Sequence, residues 1–370
     1  MKYCKSCVMP DTKPGLTINK DGICSACESI QNKFFIDWDK RHKQLSDLCD
    51  SIKNNRNSDY DCIVPVSGGK DSNKQVFVMS RVYKLRVLAV TAMAHIQTEE
   101  GIENLNSLVS EHNVDLLKIN VKPSVLQKIR RKCFLQIGNP NYAEHRLIFS
   151  AVARSSIFYN VPLVVWGEDI ATEFGGNLSQ ESLDKGSADD LIVNDLFREA
   201  EFHELIDKSI NEKDLFFYSH PEIEELKEKS IKSIYLSHFQ WWDGIKHFHI
   251  AKSCGFTERR AGPLSGNIIA YDNIDEKLCE IHKWLQFMKF GFWRPHDEAC
   301  YKIWNGYISR KEAVEMVNSV KYNFPKEYVE EYLEYHQLTE NELQECFEKW
   351  RNKDIWEKQK GQWKLKYELE

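Results

Sequence analysis

The segment VPVSGGKDS, residues 64–72, combines residue types that suit the binding of a phosphate group. An apolar run leads into a short loop of serine and glycine, which ends in a lysine and an aspartate. Where such a loop joins a strand to a helix, its backbone N–H groups and the helix N-terminus point at an anion. The spacing matches neither the Walker loop nor the dinucleotide motif G-x-G-x-x-G. The segment therefore predicts a phosphate-binding loop of another class, with a simple Gly/Ser turn as the alternative.

Two C-x-x-C pairs near the N-terminus are a second group of chemically capable residues. Cys4 and Cys7 form the first pair, and Cys24 and Cys27 form the second. This pattern is typical of a zinc ion held tetrahedrally by four thiolates. Because cysteine fills all four positions, the site should be structural and should stabilise a ribbon too small to fold alone. Disulfides, unconnected thiols and an iron–sulfur cluster are the alternatives.

A pair of carboxylates, Glu168 and Asp169, follows an apolar run and Gly167. At the carboxyl edge of a parallel sheet such a pair can bind Mg²⁺, orient substrate hydroxyls or accept a proton from ammonia. Asp169 could equally cap a helix. Gly175 and Gly176 allow close approach of the backbone to a substrate, or form a turn.

Two further side chains have both a chemical and a structural interpretation. His145 is a candidate general base, and a satisfied, non-catalytic histidine is the alternative. Cys133 follows Arg-Arg-Lys, which could lower the pKa of its thiol, and a buried, inert thiol is the alternative.

Alternating strands and helices must position these residues. Apolar runs at 62–66, 85–91, 116–121 and 161–166 predict strands, and 234–239 predicts a fifth. Helical periodicity covers 72–83, 99–109 and 143–158, and it continues from 271 to the C-terminus. This order predicts an α/β fold with a parallel sheet covered by helices on both faces.

The predicted domains follow from these patterns. They are a four-cysteine zinc ribbon at 1–33, a connecting helix and linker at 34–58, an α/β domain at 59–270 with a helical insertion at about 177–232, and a helical C-terminal region at 271–370. No apolar run is long enough to span a bilayer, and the net charge of -6 gives no overall attraction for nucleic acid. We therefore expect a cytoplasmic protein, whose aromatic C-terminal tail could pack on a partner or on a second copy in a homodimer.

The loop SGGKDS resembles the signature of the PP-loop ATP pyrophosphatases, whose fold is adenine nucleotide alpha hydrolase-like. The resemblance implies ATP binding by the loop and Mg²⁺ binding by Asp71. It also implies cleavage between the α and β phosphates, with Lys70 and Asp71 in catalysis. From the carboxylate pair after the fourth strand we add Glu168 as a third catalytic candidate. The residues implied to bind ATP are Ser67, Gly68, Gly69, Lys70, Asp71 and Ser72.

Longer stretches resemble the N-acetyl sugar amidotransferases, a PP-loop family of surface-polysaccharide biosynthesis. These are CKSCVMPDTKP, DGICSAC, VVWGEDIATEFGG, FQWWDGIKH and YDNIDEKLCEIHKWLQFMKFGF. The resemblance implies that the acetamido oxygen of an N-acetylated, UDP-linked sugar is adenylated and that ammonia then displaces AMP to give an acetamidino sugar, as in lipopolysaccharide O-antigen synthesis. Asp169 and the Trp-Arg-Pro that follows KFGF depart from the family pattern, which leaves the sugar open.

An amidation reaction needs a source of ammonia. The chain shows no glutaminase motif, so the resemblance implies a separate glutaminase subunit, with or without a cyclase-like channel protein. We assign Gly167, Asp169, Gly175, Gly176 and His145 to substrate binding. A tRNA thiolation enzyme of the PP-loop class and a non-enzymatic nucleotide sensor are the competing functions.

Overall fold

The computed structural model describes residues 1–92, 96–169 and 206–370, together with Glu173 and Phe202. Within these residues, five strands form a parallel sheet in the order β3-β2-β1-β4-β5, which confirms the predicted α/β class. The strands are β1 Cys62–Pro65, β2 Val87–Ala92, β3 Asp115–Ile119, β4 Leu163–Trp166 and β5 Lys232–Tyr235.

Helices connect these strands and continue beyond them. The first group is α1 Ser25–Asn32, α2 Trp38–Asn54, α3 Lys70–Val76, α4 Glu99–His112, α5 Pro123–Lys132 and α6 Tyr142–Phe158. π-Helical turns extend α3 over Phe77–Val82 and α5 over Cys133–Ile137. The later group is α7 Ile223–Glu228, α8 Leu236–Phe239, α9 Gly244–Ser253, α10 Cys279–Phe290, α11 Arg294–Trp304, α12 Arg310–Val320, α13 Val329–His336 and α14 Glu340–Trp350.

The strands are nearly continuous apolar runs because both faces of the sheet are buried. Ile63 and Val164 face a cluster that includes α5 and α6, whereas Val64 and Val165 face α2, α3 and α4. Pro65 pairs with Val90 as the last residue of β1, where its missing N–H does not interrupt the ladder. The sheet thus presents the carboxyl ends of β1, β2 and β4 along one edge.

Two predicted elements are wrong in detail. The fifth strand, predicted at 234–239, ends at Tyr235, and Leu236–Phe239 is a helical turn. The chain turns there because Ser237 donates its N–H to the Gly167 carbonyl and accepts the Asp169 N–H at its Oγ. The C-terminal tail, predicted to be helical, contains a hairpin of β6 Trp356–Gln359 and β7 Gln362–Leu365.

The hairpin has a local cause that the helical interpretation overlooked. Lys360 and Gly361 have φ of 50° and 83°, as a two-residue turn of this type requires. The hairpin buries Trp356 against Phe287, with ring centroids 4.8 Å apart. Part of the aromatic tail therefore packs within its own chain, while its use in a homodimer stays a prediction.

The cysteine ribbon lies on the C-terminal helices. Its cluster packs against residues of α11 and α12, including Ala299, Trp304 and Val317. Arg310 donates from Nε to the carbonyls of Cys4 and Cys7 at 3.2 and 3.1 Å. None of the helices in the described part of the chain has the length and apolarity to cross a bilayer.

Candidate active site

The loop after β1 has the backbone shape of an anion cradle. Gly68 has φ of +88°, and a Cβ there would lie 2.9 Å from the backbone nitrogen of Leu105. Only glycine fits this conformation and this close approach to α4. Gly69 caps α3, and its N–H donates to Ser67 Oγ at 3.3 Å, while Ser72 Oγ donates to the Gly69 carbonyl at 3.0 Å.

Lys70 carries the positive charge of the loop and is held between two carboxylates. Its Nζ donates to Asp71 Oδ2 at 2.9 Å and also to Asp272, which comes from the C-terminal region. Burial works to lower the pKa of Lys70, but the two carboxylates outweigh it and raise the pKa. Lys70 is therefore a permanent cation beside the loop.

Asp71 is held from its other side by a histidine. His247 Nδ1 lies 2.7 Å from Asp71 Oδ1. Burial opposes ionisation of Asp71, yet Lys70 and His247 bring its pKa below the usual range, so the carboxylate is charged at neutral pH. Burial in turn lowers the pKa of His247. A charged, partly exposed carboxylate in this position fits Mg²⁺, which is commonly held by one or two carboxylates together with substrate phosphates.

Glu168 faces the same space from the end of β4. Burial, followed by the charge of Asp71, raises its pKa to about 7. A carboxyl group with a pKa near neutrality can exchange a proton with a substrate at physiological pH. The backbone of the neighbouring Asp169 is fixed at two points, because its N–H donates to Ser237 Oγ and its carbonyl accepts from the Glu173 N–H.

Lys70, Asp71 and Glu168 line one cavity of about 490 Å³, a volume within the usual range for a ligand site. One wall is the loop together with the ends of β2 and β4. A second wall comes from α6, with Glu144, His145 and Phe149. The third wall comes from the C-terminal region, mainly from residues 271–276.

The segment 271–276 is fixed to the start of α4. Thr98 Oγ1 donates to the Ile274 carbonyl, and the Thr98 N–H donates to the Asp275 carbonyl at 3.3 Å. A Cβ on Gly101 would lie 2.7 Å from Asp275 Cα, so the small residue permits this approach. The anchored segment brings Asp272 to the loop and Glu276 to the wall formed by α6.

The structure brings most of the predicted site residues together. Gly167 and His145 line the cavity with the loop and Glu168. A Cβ on Gly167 would lie 2.4 Å from Gln75 Nε2, so its small size also serves packing. Burial, with Lys283 and Arg130 nearby, lowers the pKa of His145 to about 4, which leaves the imidazole neutral. Gly175 and Gly176 lie outside the described residues.

The four cysteine sulfurs fit a single metal ion. All four lie within 4.8 Å of one another, with Cys4 Sγ 3.9 Å from Cys27 Sγ and Cys7 Sγ 3.6 Å from Cys24 Sγ. A tetrahedral ion with Zn–S bonds of about 2.3 Å would place its sulfurs about 3.8 Å apart. The sulfurs also accept N–H groups, as at Cys24 N–H to Cys4 Sγ and Trp304 Nε1–H to Cys27 Sγ. Such donors stabilise thiolate charge.

Two of the other cysteines, Cys279 and Cys133, carry unreactive thiols. Of those in the described part of the chain, Cys279 lines the cavity, and burial raises the pKa of its thiol to about 11. Burial likewise raises the pKa of Cys133 to about 12, so the basic residues before it do not activate it. Both are protonated thiols at neutral pH.

Comparison with known proteins bears on the third wall of the cavity. Residues 265–370 match the family model described as "LPS biosynthesis protein WbpG-like, C-terminal domain". The C-terminal region, residues 265–370, is thus similar to a WbpG-like C-terminal domain. This match confirms the predicted family resemblance in the part of the chain that the model covers. Asp272 and Glu276 both lie within the matched residues.

Other comparisons are more distant. The uncharacterized protein MJ1599 of Methanocaldococcus jannaschii is 29% identical over 119 residues, which cover 32% of this chain and 42% of that protein. The match thus spans about two fifths of the relative's length.

Similar solved structures include three enzymes, and their TM-scores are too low to bear on function. The NH3-dependent NAD synthetase of Campylobacter jejuni shows 20% identity and a TM-score of 0.29, covering 50% of this chain and 99% of that one. The NMN synthetase of Francisella tularensis shows 18% identity and a TM-score of 0.27, covering 53% of this chain and 96% of that one. The U34-tRNA thiolase NcsA of Methanococcus maripaludis, with its [4Fe-4S] cluster, shows 14% identity and a TM-score of 0.29, covering 83% of this chain and 86% of that one.

Proposed function

We propose that the chain is an ATP-dependent amidotransferase that converts the acetamido group of an N-acetylated, UDP-linked sugar into an acetamidino group. One observation carries the proposal. Residues that match the WbpG-like family model, described as one of lipopolysaccharide biosynthesis, form a wall of the same cavity into which the predicted ATP loop opens. Because the cavity is shared, ATP bound at the loop would lie in the same space as an acceptor bound against the C-terminal region.

The first step assigned to this site is adenylation. The acetamido oxygen attacks the α-phosphorus of ATP, and pyrophosphate leaves. Loop N–H groups and Lys70 hold the departing pyrophosphate, while Asp71 would hold the Mg²⁺ that shields the phosphate charge. The acetamido nitrogen loses its proton, which gives an O-adenylyl imidate.

The second step is attack by ammonia on the imidate carbon. The bond from carbon to the adenylyl oxygen breaks, AMP leaves, and the carbon keeps both nitrogens. Glu168 has a pKa of about 7, and its ionised carboxylate accepts a proton from the attacking nitrogen. The products are an acetamidino sugar, AMP and pyrophosphate, and their formation should require both the sugar and ammonia.

The alternative, tRNA thiolation, needs a sulfur carrier at the cavity. Cys279, the cysteine found there among the described residues, has a pKa raised to about 11 and is a poor nucleophile at neutral pH. The net charge of -6 also gives no overall attraction for tRNA. These observations favour amidation.

The raised pKa of Glu168 predicts a pH dependence. Activity, expressed per concentration of free ammonia, should rise as the pH passes through about 7 and then level off. Glu168→Gln should lose this inflection together with most of the turnover, about 10²-fold or more. A pH profile of kcat/KM with saturating ATP measures the effect. An unchanged inflection in the variant would exclude Glu168 as the base.

The same shift has a consequence for stability. The folded pKa of about 7 lies above the ordinary value of 4.5, so ionisation of Glu168 costs stability as the pH rises through this window. Glu168→Gln should therefore raise the melting temperature at pH 8 and change it little at pH 4. Equal shifts at both pH values would contradict the assignment.

The nitrogen source is a further prediction. The purified chain should use ammonium chloride at raised pH but not glutamine, because it shows no glutaminase motif. Addition of a separate glutaminase subunit should restore glutamine use. The measurement is the glutamate that forms together with the sugar product. Hydrolysis of glutamine by the isolated chain, stopped by a Cys→Ser change, would show a glutaminase site within it.

A further inference from the structure

Two carboxylates that line the cavity beside the ATP loop belong to a second charged group, which the proposed chemistry does not use. It consists of Arg130 from α5, Glu144 from α6 and Glu276 from the WbpG-like domain. Arg130 is 0% exposed, Glu144 8% and Glu276 7%, and both carboxylates line the cavity. Arg130 Nη1 lies 2.6 Å from Glu144 Oε2 and 3.5 Å from Glu276 Oε2.

The polar atoms of this group are incompletely satisfied. Glu144 Oε1 and Arg130 Nε have no hydrogen-bond partner among the described residues, and Glu276 Oε2 has only its 3.5 Å ion pair with Arg130. Buried polar atoms in folded proteins nearly always have a partner, so each exception requires an explanation. Two of these side chains, Glu144 and Glu276, also form part of the wall of a ligand-sized cavity, so a ligand bound there would lie against this group.

The charges of the group limit the chemistry of that ligand. Two carboxyl groups repel an anion, and Arg130 repels a cation. Burial and the neighbouring Glu144 raise the pKa of Glu276 to about 8, so it is largely protonated at neutral pH. The pair then offers both a donor and an acceptor, which complements a hydroxyl or amide group that does the same. An uncharged ring with several hydroxyl and amide groups fits best.

We propose that Glu144 and Glu276, held in place by Arg130, form the subsite that binds the sugar ring of the acceptor, an inference that rests on the proposed function. The segment 271–276 supports it. Asp272 contacts Lys70 at the ATP loop, and Glu276 follows four residues later, at most about 14 Å along the chain. One anchored segment of the WbpG-like domain thus reaches both the phosphate loop and the sugar.

Equilibrium binding tests the subsite apart from catalysis. The probes are ATP with Mg²⁺ and, separately, a panel of UDP-linked mono- and diacetamido hexoses without ATP. Glu144→Gln and Glu276→Met should each weaken binding of the sugar probe by at least about 10-fold, because the first replaces an acceptor oxygen by a donor amide and removes the charge paired with Arg130, and the second removes both hydrogen-bonding groups. Their affinity for ATP should stay within about twofold of wild type. Glu276→Gln, which keeps a donor and an acceptor, should retain most of the sugar binding.

A matched control removes an equally buried carboxylate elsewhere. The Asp61 side chain is 1% exposed and pairs with Arg56 and Arg86 just before β1, at the sheet edge opposite the loop. Asp61→Asn should leave sugar binding unchanged, and thermal melting of all four variants separates misfolding from lost recognition. If Glu276→Met does not fold, Glu144→Gln carries the test.

The outcomes are distinguishable. Wild-type protein that binds a sugar probe, with unchanged affinity in Glu144→Gln and Glu276→Met, would overturn the subsite and leave the proposed function standing. A parallel loss of ATP affinity would show a purely structural ion cluster and would also overturn it. Wild-type protein that binds ATP but none of the sugars would overturn the proposed function and the subsite together.

Discussion

Replacing Asp71 with asparagine is expected to abolish formation of AMP and pyrophosphate while the protein stays folded. Asp71 is partly exposed at the loop and ionised, with Lys70 and His247 on its two oxygens. Asparagine keeps the shape but loses the charge that Mg²⁺ requires. Because a catalytic metal contributes several kcal/mol to transition-state stabilisation, turnover should fall by about 10³-fold or more.

The control for Asp71→Asn is Asp47→Asn, a change on exposed α2 where Asp47 pairs with Lys43. It should keep full turnover, and both variants should melt within a few degrees of wild type. Separation of nucleotides by chromatography shows which bond of ATP is cut. Appearance of ADP and phosphate in the wild-type reaction would refute the assignment of the loop.

The second large effect is expected at the ribbon. The protein should contain about one Zn²⁺ per chain, and Cys24→Ser should remove the soluble folded form. A structural zinc site contributes about 10–16 kcal/mol, as much as the whole stability of a typical domain. The ribbon packs on α11 and α12, so its loss also exposes the apolar surface of these helices.

Cys49→Ser provides the matched comparison, because Cys49 is as fully buried as Cys24 but lies on α2, away from the four sulfurs. It should yield soluble protein with the full zinc content. Metal analysis by mass spectrometry and an absorption spectrum give the readout. Iron with a visible cluster band, absence of zinc, or equal behaviour of the two variants would contradict the zinc assignment.

The sequence predicted those parts of the structure that depend on local pattern. Strands buried on both faces must be apolar runs, so β1, β2 and β4 were recognisable within one or two residues. The loop was recognisable because Gly68, Gly69 and Ser72 must sit at fixed positions between a strand and a helix. The ribbon was recognisable because metal ligation fixes the spacing of its cysteines.

The sequence did not reveal the residues that tertiary contacts bring to the site. Asp272 meets Lys70 from 202 positions away, and His247 meets Asp71 from 176 positions away. Within their own segments these side chains are ordinary polar residues at the start of helical patterns. Gly101 could have given a hint, because a glycine in the first turn of α4 is explained only by the close approach of Asp275. The turn at Lys360 and Gly361 was a local signal that the helical periodicity obscured.

The most direct test of the proposed function follows the acetamido oxygen. A UDP-linked acetamido sugar carrying a heavy oxygen isotope in that group is incubated with the protein, ATP, Mg²⁺ and ammonium labelled with heavy nitrogen. Mass spectrometry should find the heavy oxygen in AMP and the heavy nitrogen in the sugar, because the oxygen leaves with the adenylyl group. Heavy oxygen that stays in the sugar while ATP is consumed, or that appears in pyrophosphate, would contradict adenylation of the acetamido group.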